Sequence, residues 1–189
     1  MMTTYADVLR PQTRRLAWAY DLALVTLGTA LLAVSAQFAV RLPFSPVPVT
    51  GQTLMVLLIG ATLGRKRGTA TLLAYLAEGL VGLPVFAQGG LGLAYLLGPT
   101  GGYLFGMVAA AYLVGWLAER GWDRRPGATA VAMLGGNLAI YALGVTWLAL
   151  FIGWNSALPL GLLPFIPGDL LKIALATLLL PAGWKLLGK

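Results

Sequence analysis

Long apolar runs at 16–40, 51–64, 68–83, 100–119, 128–152 and 165–186 leave this chain little charge with which to face water. Only 10% of its 189 residues are charged, where a soluble domain carries about 25%. Lipid is therefore the solvent for most of the chain. A spanning helix needs about 20 mostly apolar residues, so the runs predict an all-α integral membrane protein of six transmembrane helices in a single membrane domain. The second and third runs are short, with only "GRKRG" at 64–68 between them. They read as a helical hairpin with a tight, charged turn.

Basic residues test that count. Six spans put Arg10, Arg14, Arg15, Arg65, Lys66, Arg67, Arg120, Arg124, Arg125, Lys185 and Lys189 on one side and Arg41 alone on the other, with Lys172 inside the sixth span. Basic residues collect on the cytoplasmic side of membrane proteins, so both termini are expected inside. The same rule accounts for the basic clusters without a nucleic-acid partner. The first run exceeds the 7–15-residue core of a signal peptide and lacks a clear cleavage site, so it reads as a retained span.

Three connections fall on the outer side: "RLPFSPVPVTG" (41–51), "GLPVFAQGGLGLAYLLGPTGG" (82–102) and "GWNSALPLGLLPFIPG" (153–168). All are rich in Pro and Gly and nearly free of charge. Irregular backbone is tolerated at membrane depth only where protein buries it or it lines a cavity. These loops either touch lipid headgroups or tuck inward to roof a pocket, and their aromatic content favours the roof.

Asp169 and Lys172 stand three residues apart at the mouth of the last span, on one helix face. Asp169 in a first turn gains from the helix dipole, which is a complete structural account of it. Lys172 has no such excuse, since a lysine within a membrane span is costly and marks a functional candidate. Gln37 and Gln52 flank the first outer connection. Asn137 and Tyr141, spaced i, i+4, put polar heads on the fifth span; each fits helix–helix glue or ligand contact. Glu78 is placed to brace the 82–102 connection, and Asp21 to pair with Arg14 and Arg15.

Several functions are excluded by what is missing. The chain has no Cys and no His, which removes thiol chemistry and the commonest metal ligand and general base. No metal site and no cofactor are expected. "GPTGGYLFG" (98–106) lacks the lysine of a nucleotide-binding P-loop, and no hydrolase motif appears. An enzyme is not expected. In the first span Ala19 and Ala23, and Thr26 and Ala30, form a small-residue stripe of the kind that lets helices approach closely, either within the bundle or against a partner.

Four segments, "PVPVTGQTL" (46–54), "GLPVFAQGG" (82–90), "GPTGGYLFG" (98–106) and "PFIPGDLLK" (164–172), together resemble the BioY family, the biotin-binding S components of energy-coupling-factor (ECF) vitamin transporters. The resemblance is co-linear over roughly residues 20–185. It implies a multi-pass subunit of a prokaryotic cell membrane that captures biotin beneath its outer loops. It also implies partners, a transmembrane coupling protein and two cytoplasmic ATPases. Ala19, Ala23 and Ala30 are similar to the surface such S components use to dock. Carried onto this sequence, the motifs make Asp169 and Lys172 the leading polar ligand contacts, with Gln52, Phe86, Gln88, Gly98, Thr100 and Gly101 around them; Asn137 and Tyr141 join them as expected contacts from the fifth span.

Biotin's ureido ring offers two N–H donors and a carbonyl, and an aromatic roof of Phe44, Phe86, Tyr95 and Trp154 would cover its bicycle. Residues 83–99 hold no base, unlike some family members, which leaves Lys172 or solvent for the biotin carboxylate. The rival readings are an S component for another vitamin, a stand-alone ion-coupled transporter using Glu78 and Asp169, and a membrane enzyme that no motif supports.

Overall fold

The computed structural model describes residues 3–188, so Lys189 lies outside the described residues. In chain order the elements are α1 (Tyr5–Val8), α2 (Arg14–Gln37), β1 (Ala39–Val40), β2 (Val49–Thr50), α3 (Gln52–Leu80), α4 (Gly92–Leu96), α5 (Gly101–Ala118), α6 (Pro126–Ile152), α7 (Trp154–Gly161) and α8 (Ile166–Leu186). Four stretches, 14–37, 101–118, 126–152 and 154–186, are long and apolar enough to cross a bilayer. α3 packs mainly on α5, α5 on α6, α2 on α3, and α6 on α7 and α8.

α3 is not one rod. Gly64 stands at φ +80° and ψ 175°, a left-handed conformation that glycine adopts without steric cost. The Gln52 amide meets the Tyr75 hydroxyl at 2.9 Å, although a straight helix would hold them about 34 Å apart. The stretch therefore folds back into antiparallel limbs, 52–63 and 65–80. The expected five-residue charged turn narrows to this one glycine, and Arg65, Lys66 and Arg67 begin the second limb as helix. Glu119 satisfies that limb's first N–H, accepting from Arg65 at 3.0 Å. Gly115 admits the turn against α5, because a Cβ there would lie 2.4 Å from the Arg65 nitrogen.

The buried core runs through Leu32, Val56, Leu72, Ala110, Met133, Ile140 and Leu148. Outward, α2 exposes Trp18, Leu22 and Val34, and α8 exposes Leu170, Leu171 and Leu178. Apolar surface on this scale marks contact with lipid or another chain.

One end of the bundle carries the basic residues. There Arg67 pairs with both Asp7 (2.8 Å) and Asp21 (2.6 Å), and Arg10 also holds Asp21 at 2.6 Å. Asp21 thus pairs with these two arginines; Arg14 and Arg15, the expected partners, are turned to the exposed side of α2. The indole N–H of Trp184 donates to buried Asp123 at 2.6 Å, with the Arg124 guanidinium 4.3 Å over the indole.

The proline- and glycine-rich connections gather at the other end. The first is a hairpin, with Ala39 opposite Thr50 and Val40 opposite Val49. The third, expected as irregular, is largely helical: Gly153 at φ +77° ends α6, α7 follows at once, and a 3-10 turn leads into α8. Pro167 is the second residue of α8, where a missing N–H has no partner to lose.

Candidate functional site: a polar cluster under the loops

The first turn of α8 carries Asp169, 4% exposed, into the protein, and Lys172 follows on the same face. The Lys172 ammonium has three protons and three acceptors: Asp169 Oδ1 at 3.2 Å, Thr53 Oγ1 at 2.6 Å and the Thr50 carbonyl at 2.9 Å. Thr53 in turn donates to Asp169 Oδ1 at 3.3 Å, and the Tyr141 hydroxyl donates to Oδ2. Two elements far apart in sequence make this possible. The β1–β2 pairing fixes Thr50, and α3 starts at once, so Thr53 faces α8 from its first turn. A buried charge is tolerated when it is paired and hydrogen-bonded, and here each charge satisfies the other.

Above the cluster is a pocket. Gln52, 2% exposed, donates to Tyr75, whose hydroxyl donates to the Val85 carbonyl at 2.8 Å. Phe86, fully buried, meets Tyr75 edge-on at 5.5 Å and stacks on Tyr95 at 5.1 Å. This relay seats Tyr95 in the pocket wall. The Tyr103 hydroxyl donates to the Gly161 carbonyl at 2.8 Å, tying α5 to α7. The cavity is about 40 Å³ and opens through a mouth that brings the empty space to about 510 Å³. Val47, Pro48, Leu104, Met107, Ile140 and Phe165 supply most of its apolar lining.

Of the residues expected at the site, Gln52, Tyr95, Thr100, Tyr141 and Lys172 line this pocket. Asp169 lies behind Lys172 and Tyr141, and Phe86 behind Tyr95. Gln88 and Gly98 border a shallower recess at the mouth, shared with Pro48, Tyr95 and Thr100. Gly98 accepts the Trp147 indole N–H at 3.0 Å. Gly101 is a packing position, since a Cβ there would lie 1.8 Å from the Leu96 carbonyl. Asn137 does not line the pocket; it borders a groove between α6 and α8 that Tyr141 and Asp169 also line.

Two expected roof residues do not roof the pocket: Phe44 is 57% exposed and Trp154 61%. The hairpin and α7 turn them outward, and Tyr103, Tyr141 and Phe165 provide the aromatic surface. The Glu78 carboxylate makes no hydrogen bond or ion pair among the described residues; it is the Glu78 main-chain carbonyl that braces the 82–102 connection, accepting from Leu83 at 3.1 Å. Thr50, Thr53, Tyr103 and Phe165 are site residues that sequence reasoning misses, although all four lie inside the quoted motifs. Ala19, Ala23 and Ala30 are exposed on α2.

An apolar-faced helix bundle with a polar, hydrogen-bonded pocket under one end defines a multi-pass membrane protein with a small-molecule cavity. The chain belongs to the BioY family, whose model matches residues 5–189. It is 42% identical over 161 residues to the probable biotin transporter BioY of Pyrococcus horikoshii, covering 85% of this chain and 94% of that one. It is 37% identical over 169 residues to the biotin transporter BioY of Rhizobium etli, covering 84% and 90%. Among solved structures it is similar to the S-component for biotin from an ECF-type ABC transporter, with TM-score 0.79 and 28% identity over 93% of this chain and 95% of that one.

Proposed function

We propose that this chain is a membrane S component that captures biotin in the pocket above Asp169 and Lys172 and delivers it for ATP-driven import. The observation that carries the reading is the cluster in which buried Asp169 is held by half-buried Lys172, Thr53 and Tyr141 at the base of a largely apolar cavity. A carboxylate has about four acceptor positions, and three protons reach Asp169 behind Lys172 and Tyr141; a ureido N–H takes the fourth as those two side chains shift with the entering ligand. Charge-assisted bonds of this kind are about twice as strong as neutral ones. Gln52 uses one of its two amide protons on Tyr75 and keeps the other for a carbonyl. The bicycle lies against Tyr95, Tyr103 and Phe165. At about 40 Å³ the cavity is tight, so the loops over it part as the ligand enters.

Four long apolar stretches and the two limbs of α3 support six spans. The basic end then faces the cytoplasm and the pocket faces outward from the plasma membrane. The relatives named as biotin transporters support biotin over other vitamins and a transport role over an enzymatic one. Partners are a transmembrane coupling protein and two ATPases, with the exposed Ala19, Ala23 and Ala30 face of α2 offered to the coupling protein.

Calorimetric titration of the purified chain with biotin, thiamine and riboflavin tests this. Saturable binding of biotin alone is expected. Folded protein that binds none of the three, or prefers another vitamin, would overturn it.

A further inference from the structure

Biotin ends in an aliphatic carboxylate, and Lys172 has no proton left to give it: all three go to Asp169, Thr53 and Thr50. The segments at the loop end, 38–52, 81–101 and 153–168, contain one other cationic side chain, Arg41. It is exposed, at the point where β1 leads into the hairpin turn, and its Nε donates to the Gln88 side-chain oxygen. Gln88 borders the recess at the pocket mouth with Pro48, Tyr95 and Thr100, three residues that also line the pocket itself. Arg41 is thereby held beside the rim through which a ligand tail leaves the cavity.

Gln88 itself is strained. Among the described residues it alone has positive φ without being glycine, at +61°, and such residues persist only where their surroundings impose them. Gln37 supplies the constraint from the end of α2: its amide donates to the Phe86 carbonyl at 3.2 Å and accepts from the Gly89 N–H at 3.1 Å. Guanidinium carries five N–H donors. With one on Gln88, the two terminal nitrogens make no bond among the described residues and keep the forked geometry that matches a carboxylate.

We propose that Arg41, oriented by Gln88, is the counter-charge for the ligand carboxylate and so selects the free acid over its neutral derivatives. This rests on the biotin reading above. The test is calorimetry with biotin and with biotinamide, its uncharged primary amide, on wild type, Arg41→Gln and Arg41→Lys at low and moderate salt.

Wild type is expected to bind biotin roughly tenfold or more tightly than biotinamide, the size of a charged hydrogen bond. Arg41→Gln should bring biotin down to the biotinamide level while biotinamide binding stays put, and Arg41→Lys should fall between. Equal loss of both ligands in Arg41→Gln, or a preference for the acid that survives it, would overturn the assignment while leaving biotin capture intact. A wild type that binds neither compound removes the biotin reading, and this inference with it.

Discussion

Gln52 donates to the Tyr75 hydroxyl at 2.9 Å across 23 residues of a stretch whose only non-helical residue is Gly64. That bond joins the two limbs of α3 at the loop end, 12 residues from the turn that makes it possible. The pocket wall and the turn at the basic end are therefore parts of one element. Tyr75 passes the link on to Val85 and, through Phe86, to Tyr95.

Gly64→Ala should destabilise the protein by about 1–3 kcal/mol, the usual cost of forcing a side chain into that backbone region. Crowding adds to it, because the new Cβ would lie 2.9 Å from Glu119 Oε1 and 3.1 Å from Thr4 Cγ2. Thermal unfolding in detergent measures the loss. Gly64→Asn should lose as much, since φ +80° with ψ 175° lies outside the αL well that Asn tolerates and in a region open essentially to glycine alone. Equal stability of wild type and Gly64→Ala would mean that the reversal does not depend on this residue.

Removing one partner of a buried ion pair costs about 3–5 kcal/mol, much of it from the stranded charge. Lys172→Met strands the Asp169 carboxylate, 6% exposed at its side chain, with only neutral donors. The single change should therefore lower stability strongly. Asp169→Asn combined with Lys172→Met should recover most of that stability and still bind biotin poorly, because the ligand's charged acceptor is gone. Stability and titration measured on the same three proteins separate the two effects. A double variant with wild-type affinity would remove the cluster from the binding site.

The i, i+3 spacing of Asp169 and Lys172 was legible because both residues sit in one short segment and share a helix face. Thr53 was not legible as their partner. It lies 116 positions from Asp169, and nothing in local spacing reports which turn of α3 will face α8. The apolar runs located the helices because lipid demands length and hydrophobicity, while the charges of Arg65, Lys66 and Arg67 suggested a loop that helix propensity does not require. Proline density likewise concealed α7. The sequence suggests Phe44 and Trp154 as roof because an aromatic in an apolar loop carries no sign of the face it will take. Only the β1–β2 register and the Gly153 break decide that.

Aromatic substitutions distinguish the observed wall from the expected roof. Phe86 is fully buried between Tyr75 and Tyr95, and Phe→Ala in a core costs about 3–5 kcal/mol. Phe86→Ala should thus lower both the unfolding midpoint and biotin affinity, since Tyr95 loses its backing. Phe44→Ala and Trp154→Ala should stay within about 0.5 kcal/mol of wild type in stability, as exposed positions usually do. Biotin affinity that fell with Phe44 or Trp154 and survived loss of Phe86 would reverse this picture of the pocket.

At the basic end two carboxyls make opposite contributions as pH changes. Burial pushes Asp123 above the usual carboxylate range, against the Trp184 N–H and the nearby Arg124 charge that pull it down; its Oδ1 has no hydrogen-bond partner among the described residues. A raised acid binds its proton more tightly when folded. Its contribution is thus greatest below the unfolded value of about 3.9 and is lost as pH climbs toward the folded value. Burial also acts to raise Asp7, but hydrogen bonds from Arg67 and Thr4 outweigh it and hold that carboxyl low. Asp7 stabilises above the unfolded value and ceases to do so as pH falls through its folded one. Asp123→Asn keeps an acceptor for Trp184 and should match or exceed wild-type stability at pH 7, the advantage fading toward pH 4. Asp7→Asn should be less stable than wild type at pH 7 and converge with it in acid. Unfolding midpoints from about pH 2 to pH 8 for the three proteins decide it, because the Asp7 contribution is lost only below its unfolded value; an Asp123→Asn variant clearly weaker than wild type at pH 7 would show that the charged carboxylate is the form the fold prefers.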